Sequence, residues 1–326
     1  MVYVSRDVLE LLRAAGGYVS GEKMAEQLGV TRAAVWKKIA ALRDAGYDIS
    51  SAPRSGYILR SAPDRLIEPE IVKGLQIKLV GREIICYDAV DSTNIVLKEL
   101  ARQGAENGTV VVADTQGTGR GRMERAFFSP PGKGIWVSIL LRPDFLPQEA
   151  PKCTLMAAVA VARAMEKFGL RAAIKWPNDI LHDGRKLVGI LTEMSAEMDR
   201  VNYIVIGIGI NVNIAEEDFP EELRPIATSL MQMKGEPLSR VAFLQELLRA
   251  LDVLYADVQR AGFAPVLAAW KKYAVTLGQQ VRVLGPGGET FEGTAADIDA
   301  EGALLIDTKE GQRPVLAGDV SIRPKK

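Results

Sequence analysis

The first sixty residues read as short amphipathic segments separated by glycine-bearing turns. Apolar residues recur three and four apart in "RDVLELLRAAGG", "SGEKMAEQLGV" and "TRAAVWKKIAALRDAG", which predicts three helices. The last two are separated by a tight glycine turn, as in a helix-turn-helix. "YDISSAPRSGYIL" predicts two short strands around a turn at Pro53 to Gly56, the pattern of a wing. We therefore predict a winged helix-turn-helix over residues 1–62, followed by a polar, proline-bearing linker, "SAPDRLIEP".

The rest of the chain predicts two further units. Residues 65–270 mix strand-like runs such as "GTVVVADTQ", "GIWVSILLRP" and "NYIVIGIGINVN" with an apolar helix, "TLMAAVAVARAMEKFG", and a long amphipathic one. Several strands follow one another without an intervening helix, which favours a mixed or antiparallel sheet over a doubly wound one. Residues 271–326 show short strands spaced by glycine turns, typical of a small β-barrel. The predicted fold class is α+β.

Composition narrows the classes of function. The 326 residues include 41 Lys and Arg against 41 Asp and Glu, so any binding to nucleic acid must come from a local patch. Cys86 and Cys153 lie in apolar runs and are expected to be buried free thiols. His182 is the single histidine and cannot serve both a catalytic triad and a metal site. No apolar run approaches the roughly 20 residues of a membrane span, and no signal peptide is evident, so we expect a cytoplasmic protein without a membrane partner.

A local positive patch is found in the N-terminal unit. Residues 1–60 contain nine basic and six acidic residues, a net charge of +3, and the second helix of the helix-turn-helix carries Arg32, Lys37 and Lys38. This helix is expected to enter the major groove of operator DNA, with the wing reaching an adjacent phosphate. The candidate DNA-binding residues are Thr31, Arg32, Trp36, Lys37 and Arg54. The alternative is a helical interaction module with a solvated face.

The stretch "GTGRGR" (117–122) places two arginines among glycines between two predicted strands. Glycine lets backbone N–H groups approach an anion closely, and the arginine fork suits carboxylate and phosphate. An anion-binding loop, an RNA-binding tract and a simple connector all remain possible from this stretch alone.

Four other segments carry polar residues at the ends of predicted strands. They are "VDSTN" (90–94), "KWPND" (175–179), "GRKLVGIL" (184–191) and "GIGINVN" (207–213). Hydroxyls at a helix N-terminus suit a polar ligand head, and Gly189 would let a ligand lie against the backbone. The alternatives are an ordinary helix cap for "DST", a solvated turn for Lys186 and hairpin-turn chemistry for Asn211 and Asn213.

Together, "DSTN", "GRGR", "KWPND", "GRKLVGIL" and "GIGINVN" occur here in the order found in biotin protein ligases, which the whole chain resembles. The N-terminal unit resembles the DNA-binding domain of the bifunctional subclass, which also represses biotin operons, and the last strands resemble that family's SH3-like domain. The resemblance implies that biotin and ATP form biotinyl-5'-AMP, accompanied by Mg²⁺. It further implies transfer of biotin to a lysine of a biotin carboxyl carrier protein.

The resemblance also implies roles for individual residues. Lys186, Arg120 and Arg122 would neutralise the carboxylate and phosphate as catalytic cations. Biotin-binding residues would be Ser92, Thr93, Asn94, Gln116, Gly119, Arg120, Gly121, Arg122, Lys186 and Gly189. ATP-binding residues would be Arg122, Lys175, Asn178, Lys186 and Asn211, with Asp179 as a helper for Mg²⁺ and no dedicated metal site. Leu187, Val188, Ile190 and Ile208 would form apolar walls.

Two residues depart from the family pattern "GRGRxGRxW". Glu124 stands where glycine is usual, and Phe127 stands where tryptophan is usual. Phe127 would keep an aromatic anchor, and Glu124→Gly is expected to change the off-rate of the adenylate.

Because the chain resembles the bifunctional subclass in both its DNA-binding domain and its ligase motifs, the resemblance implies that the adenylate favours a homodimer. This homodimer would bind a palindromic operator. Alternatives are a ligase with an uncoupled DNA-binding domain, a non-catalytic biotin-sensing repressor, and a ligase for another carboxylate such as lipoate.

Overall fold

The N-terminal unit is a winged helix-turn-helix. A computed structural model describes residues 6–285, 289–317 and 321–324, and it begins with α1 (Arg6–Ala15), α2 (Gly21–Leu28) and α3 (Arg32–Asp44). Ser20 caps α2 by accepting from Lys23 N, and Gly29 ends it at φ 64°, a conformation that favours glycine. The strands β1 (Asp48–Ala52) and β2 (Gly56–Ser61) pair antiparallel, so the predicted wing is confirmed.

The predicted linker is packed against both neighbouring units. Leu66 and Ile67 are 3% and 1% exposed, and these neighbours belong to different hydrophobic cores. Leu66 lies in the core of the central sheet, whereas Ile67 lies in that of the helix-turn-helix. A short helix, α4 (Glu68–Ile71), follows directly. The chain between the two units is therefore anchored on both sides.

The central unit is a seven-stranded mixed sheet. Its strands are β3 (Ile84–Val90), β4 (Val110–Gln116), β5 (Gly134–Leu141), β6 (Ala173–Lys175), β7 (Asp179–His182), β8 (Arg185–Ala196) and β9 (Val201–Asn211). The order across the sheet is β3-β4-β5-β9-β8-β7-β6. Only the β3–β4 pair is parallel among the described neighbours, joined by the crossover helix α5 (Thr93–Arg102). The prediction of a mixed sheet is confirmed.

Helices cover one face of this sheet. They are α6 (Pro151–Lys167), α7 (Leu230–Lys234), α8 (Arg240–Ala261) and α9 (Ala264–Tyr273). The alanine-rich α6 is almost wholly buried between the sheet and α8, because small side chains let both neighbours approach it.

The C-terminal unit is a five-stranded antiparallel sheet, as expected for an SH3-like domain. Its strands are β10 (Gln280–Leu284), β11 (Thr290–Ile298), β12 (Leu304–Thr308), β13 (Gly311–Val315) and β14 (Ser321–Pro324), in the order β13-β12-β11-β10-β14. Val281, Ala295 and Ile306 join the same core as the central sheet. The boundaries predicted at residues 62, 65 and 270 stay predictions.

Both cysteines are free and buried, as predicted. Burial, with a smaller effect of Glu68, raises the pKa of the Cys86 thiol to about 12, and burial also raises the pKa of Cys153. Over the part of the chain that the structure describes, no helix has both the length and the apolar character needed to cross a membrane.

Candidate functional site

Two adjoining cavities collect the predicted site residues. The first is lined by Ser92, Thr93, Asn94, Gln116, Arg120, Gly121, Phe127, Asn178, Lys186, Gly189, Ile190, Leu191, Gly207, Ile208 and Gly209. The second includes Gly121, Arg122, Phe127, Lys175, Asn178, Asp179, Lys186, Asn211, Phe219, Leu223, Ile226 and Ala227. Gly121, Phe127, Asn178 and Lys186 line both. Residues far apart in sequence therefore converge at one end of the central sheet.

Gly119 is the one predicted ligand-binding residue that lines neither cavity. Its carbonyl accepts from Phe127 N at 2.7 Å, and a Cβ at this position would lie 2.4 Å from Phe127 O. Gly119 is thus required for the close approach of the two arms of the loop, and its contact with a ligand stays a prediction.

The polar end of the first cavity is organised around Gln116. Its Oε1 accepts from Thr93 N at 2.9 Å and from Thr93 Oγ1 at 3.2 Å, while its Nε2 donates to Ser129 Oγ at 3.1 Å. Ser92 sits at the N-cap of α5 but makes no capping bond with its side chain. The ordinary-cap alternative is therefore wrong for Ser92, and its hydroxyl faces the cavity.

Asn94 is held in place by a hydrogen-bond network that no sequence motif predicted. Its Nδ2 donates to Glu193 Oε2 at 2.7 Å, and its Oδ1 lies 2.6 Å from Ser138 Oγ. A Cβ at Gly207 would lie 2.3 Å from Asn94 Oδ1, so the glycine makes room for the amide. Ser138 and Glu193 were not predicted as site residues, because they lie within largely hydrophobic strands and outside the motifs.

The floor of the first cavity is a pair of glycines on neighbouring strands. Gly189 and Gly209 are register partners in β8 and β9, and Cβ atoms there would each lie 2.7 Å from the ring of Phe127. The ring packs edge-to-face on Trp136, with centroids 5.9 Å apart. Phe127 therefore keeps the aromatic anchor that its position predicted. The close neighbour of Gly189 is this ring, and a ligand lying against the Gly189 backbone stays a prediction.

Ile190 and Ile208 line the first cavity, as predicted. Leu187 and Val188 are fully buried in the main core and line neither cavity. That part of the predicted apolar wall is wrong, because both side chains pack against other core residues and neither reaches a cavity.

The glycine-arginine loop forms a small hairpin. Arg120 pairs with Ala126 as an isolated bridge, and Gly121 N donates to Arg125 O at 2.7 Å. Met123 at the tip has φ 56°. Arg122 Nη1 donates to Asn178 Oδ1 at 3.2 Å, so this arginine faces the second cavity. The side chain of Glu124 lies outside the described residues, and the expectation for Glu124→Gly stays a prediction.

Lys186 lies at the border of the two cavities. Its Nζ is 2.7 Å from Asp179 Oδ1 and 5.5 Å from the centre of the Phe127 ring. The lysine is about one-third exposed. An ammonium placed here can contact an anion in either cavity, and Lys186 lies in β8 rather than in a turn.

The second cavity combines polar and apolar walls. Asn178 Nδ2 donates to Ile190 O, and Asn211 Nδ2 donates to Thr228 O at 2.9 Å. The apolar side comes from Phe219, Leu223, Ile226 and Ala227. Sequence reasoning missed these four because "FPEELRPIA" reads as a charged loop.

Two motif residues turn out to be structural. Trp176 is 1% exposed, and its Nε1 donates to Gly302 O at 3.2 Å, which ties "KWPND" to the C-terminal unit. Asn213 exchanges hydrogen bonds with the backbone of Leu238. Asn213 lines neither cavity, whereas Trp176 borders the second cavity although it is almost fully buried.

The N-terminal unit presents an exposed face on α3. Arg32 and Lys37 are exposed, and Trp36 is 60% exposed. Thr31 caps α3 by accepting from Ala34 N, so its hydroxyl has a structural role as well. Lys38 forms an ion pair with Asp7, which removes it from the predicted patch. Arg54 lies at the wing tip with φ 65°.

Comparisons with known proteins place these units in one family. Residues 87–211 match the biotin/lipoate A/B protein ligase family, residues 4–58 an HTH domain and residues 276–323 the biotin protein ligase C-terminal domain. The bifunctional ligase/repressor BirA of Bacillus spizizenii is 46% identical over 97% of this chain and 98% of its own length. The bifunctional ligase/repressor BirA of Escherichia coli is 33% identical over 96% of this chain and 95% of its own.

A solved structure agrees with this similarity. The biotin protein ligase from Aquifex aeolicus in complex with biotin and ATP has a TM-score of 0.65 and 30% identity, over 75% of this chain and 100% of its own. Because similarity to the bifunctional relatives extends over essentially the whole chain, including the helix-turn-helix, this protein belongs to the biotin protein ligase family, with the domain set of its bifunctional ligase/repressor members.

Proposed function

We propose that this protein is an ATP-dependent biotin protein ligase that also acts as a biotin-responsive repressor. It would form biotinyl-5'-AMP and pyrophosphate from biotin and ATP. It would then transfer biotin to a lysine of a biotin carboxyl carrier protein such as that of acetyl-CoA carboxylase. The observation that carries the proposal is that Lys186 stands where the two cavities meet.

The first cavity suits biotin. Its polar end offers the hydroxyls of Ser92 and Thr93 and the amide of Gln116, groups that can both donate and accept, as a cyclic urea requires. Ile190 and Ile208 supply apolar contact, and the carboxylate would point toward Lys186. The second cavity suits a nucleotide, with Lys175, Arg122 and Asn178 for the phosphates and the apolar side around Phe219 for the base.

The first step joins two anions. A biotin carboxylate oxygen attacks the α-phosphorus of ATP, and the bond from that phosphorus to the bridging oxygen breaks as pyrophosphate leaves. Lys186 and Arg122, with Arg120 from the other arm of the loop, would offset the repulsion. A bound carboxylate would compete with Asp179 for the ammonium of Lys186, whose Nζ lies 2.7 Å from Asp179 Oδ1.

The second step needs no nucleophile from this protein. The neutral amine of the carrier lysine attacks the carbonyl carbon of the adenylate, an amide bond forms, AMP leaves and the amine loses a proton. Among the described lining residues, Asp179 is the sole carboxylate. Mg²⁺ would therefore be held mainly by phosphate oxygens and water.

The repressor activity would depend on the same ligand. A single helix-turn-helix contacts one half-site, and a homodimer contacts two. We propose that the adenylate favours the homodimer and that the exposed face of α3, with Arg32, Trp36 and Lys37, then reads the operator.

The test is ATP-dependent transfer of labelled biotin to a carrier fragment. Wild type should transfer the label, and Lys186→Ala should lose most of the activity, by roughly a hundredfold or more for a group that stabilises developing charge. Lys234→Ala is the matched control, because Lys234 is likewise about one-third exposed, pairs with a carboxylate and lines neither cavity. Absence of transfer by wild type, or full activity of Lys186→Ala, would refute the proposal.

Ligation of lipoate is the second candidate, since the family includes lipoate ligases. The polar groups at the closed end of the first cavity argue against it, because a dithiolane offers them no hydrogen-bond partner. Lipoate that displaces biotin at equal concentration would favour this alternative.

A further inference from the structure

Arg240 is a buried cation outside both cavities. It begins α8, and its side chain is 6% exposed. Its Nη1 donates to Asp114 Oδ1 at 2.9 Å and to Gly134 O at 3.2 Å, and its Nη2 donates to Asp64 O at 3.1 Å. A guanidinium is seldom buried unless such acceptors surround it. Nothing in the proposed chemistry requires this group.

One end of the Arg240 network lies in the linker from the helix-turn-helix. The carboxylate of Asp64 accepts from Ser239 Oγ at 2.7 Å, from Arg240 N at 2.8 Å and from Val241 N at 3.0 Å. This carboxylate therefore caps α8, where the helix dipole also favours a negative charge. Asp64 follows the end of β2 at Ser61 by three residues, so only a short stretch of chain separates the cap from the DNA-binding unit.

The other end lies at the base of the glycine-arginine loop. Asp114 is in β4, two residues before Gln116, whose Oε1 holds Thr93. Asp114 Oδ2 accepts from Gly132 N at 3.0 Å, and its carbonyl accepts from Trp136 Nε1 at 3.1 Å. Asp114 thus joins the strands on both sides of the loop, and Trp136 in turn supports the Phe127 ring.

We infer that Arg240 is a positioning residue that links the DNA-binding domain's linker to the base of the ligand loop, through the chain Asp64–Arg240–Asp114. The inference rests on the proposed function for the identity of the ligand. A shift at the end of β4 moves Asp114 and must be accommodated at Asp64, because one rigid guanidinium donates to both Asp114 Oδ1 and Asp64 O. The link also works in reverse, since coupling between sites is reciprocal.

The experiment compares Arg240→Lys and Asp64→Asn with wild type. Arg240→Lys keeps the charge and loses the fork, whereas Asp64→Asn changes the linker at a distance from the cavities. Both should raise the KM for biotin more than they lower kcat, by between about 2- and 30-fold for a residue within a coupling network. Amide hydrogen exchange over residues 115–128 should become faster in both variants.

Asp252→Asn is the control. Asp252 is 7% exposed in the same helix and accepts from the backbone N–H groups of Lys78, Leu79 and Val80, so its loss destabilises α8 without touching the linker or the loop. It should lower Tm and leave both readouts unchanged.

Three results would overturn the inference. The first is that the folded Arg240→Lys and Asp64→Asn variants keep the wild-type KM for biotin and the wild-type rate of amide exchange in the loop. The second is faster exchange confined to the helix-turn-helix, and the third is an equal effect of Asp252→Asn. Failure of wild type to transfer biotin would instead refute the proposed function, and the exchange measurement would still test the link.

Discussion

The pair of glycines under Phe127 makes Gly189→Ala an informative perturbation of the first cavity. A Cβ on Gly189 would lie 2.7 Å from Phe127 Cε2, 3.0 Å from Lys186 Cε and 3.1 Å from Lys186 Nζ. Carbon atoms in contact normally lie about 3.5–4.0 Å apart, so the methyl group overlaps the ring by about 1 Å.

The cost should fall on the site rather than on the fold. Overpacking of this size costs about 1–3 kcal/mol, and both neighbours are the far ends of side chains, one of them on a loop. Displacing Phe127 and Lys186 changes the surface that a ligand meets. The KM for biotin should rise by roughly 5- to 150-fold, at about 1.4 kcal/mol per tenfold, while Tm falls by less than about 4 °C.

The assay is steady-state biotin transfer at saturating ATP, with thermal unfolding in parallel. Gly17→Ala is the control, because its nearest neighbour, Ala15 O, lies at 3.8 Å from the added Cβ. An unchanged KM in a folded Gly189→Ala variant would show that the glycine floor does not carry the ligand. A large fall in Tm with unchanged KM would show that Gly189 serves the fold.

Three further predictions follow from other contacts. Arg13→Ala should lower the free energy of unfolding by about 3–5 kcal/mol in urea titrations, because it leaves the buried carboxylate of Glu70 without its cation. Lys37→Ala should weaken operator binding and reduce the salt slope by about one, whereas Lys38→Ala, whose ammonium is already ion-paired, should not. Burial raises the pKa of Cys86 to about 12 in the folded chain, so between about pH 9 and 12 the thiol ionises only in the unfolded chain. The free energy of unfolding should therefore fall by about 1.4 kcal/mol per pH unit as pH rises through this range.

Each of these has a result that would contradict it. For Arg13→Ala it is a loss no larger than that of Arg102→Ala, which removes an exposed ion pair worth under about 1 kcal/mol. For the lysines it is an equal loss of DNA affinity in both variants. For Cys86 it is an identical slope of stability with pH in Cys86→Ala.

The order of motifs along the chain determined the family and the fold class, and nearly all of the ligand-binding residues that it predicted line one of the two cavities. This was possible because ligand contacts are made by short loops at strand ends, and the hydrophobic pattern marks where strands end. The order of motifs did not mark the apolar side of the second cavity. The winged helix-turn-helix followed from helical spacing, capping residues and glycine turns, all of which act within a few residues of one another.

The tertiary structure decided what depends on contacts between distant segments. Trp176 and Asn213 are each held by a hydrogen bond to a distant segment of the chain. Leu187 and Val188 lie in the core rather than in the cavity wall, because they pack against residues of other elements. Glycine is needed at positions 119 and 209 because Phe127, in the loop, packs directly against both of them in the folded chain. Arg240 shows the same principle most clearly: its acceptors lie more than a hundred residues away, and no local pattern marks a residue whose role is set by such neighbours.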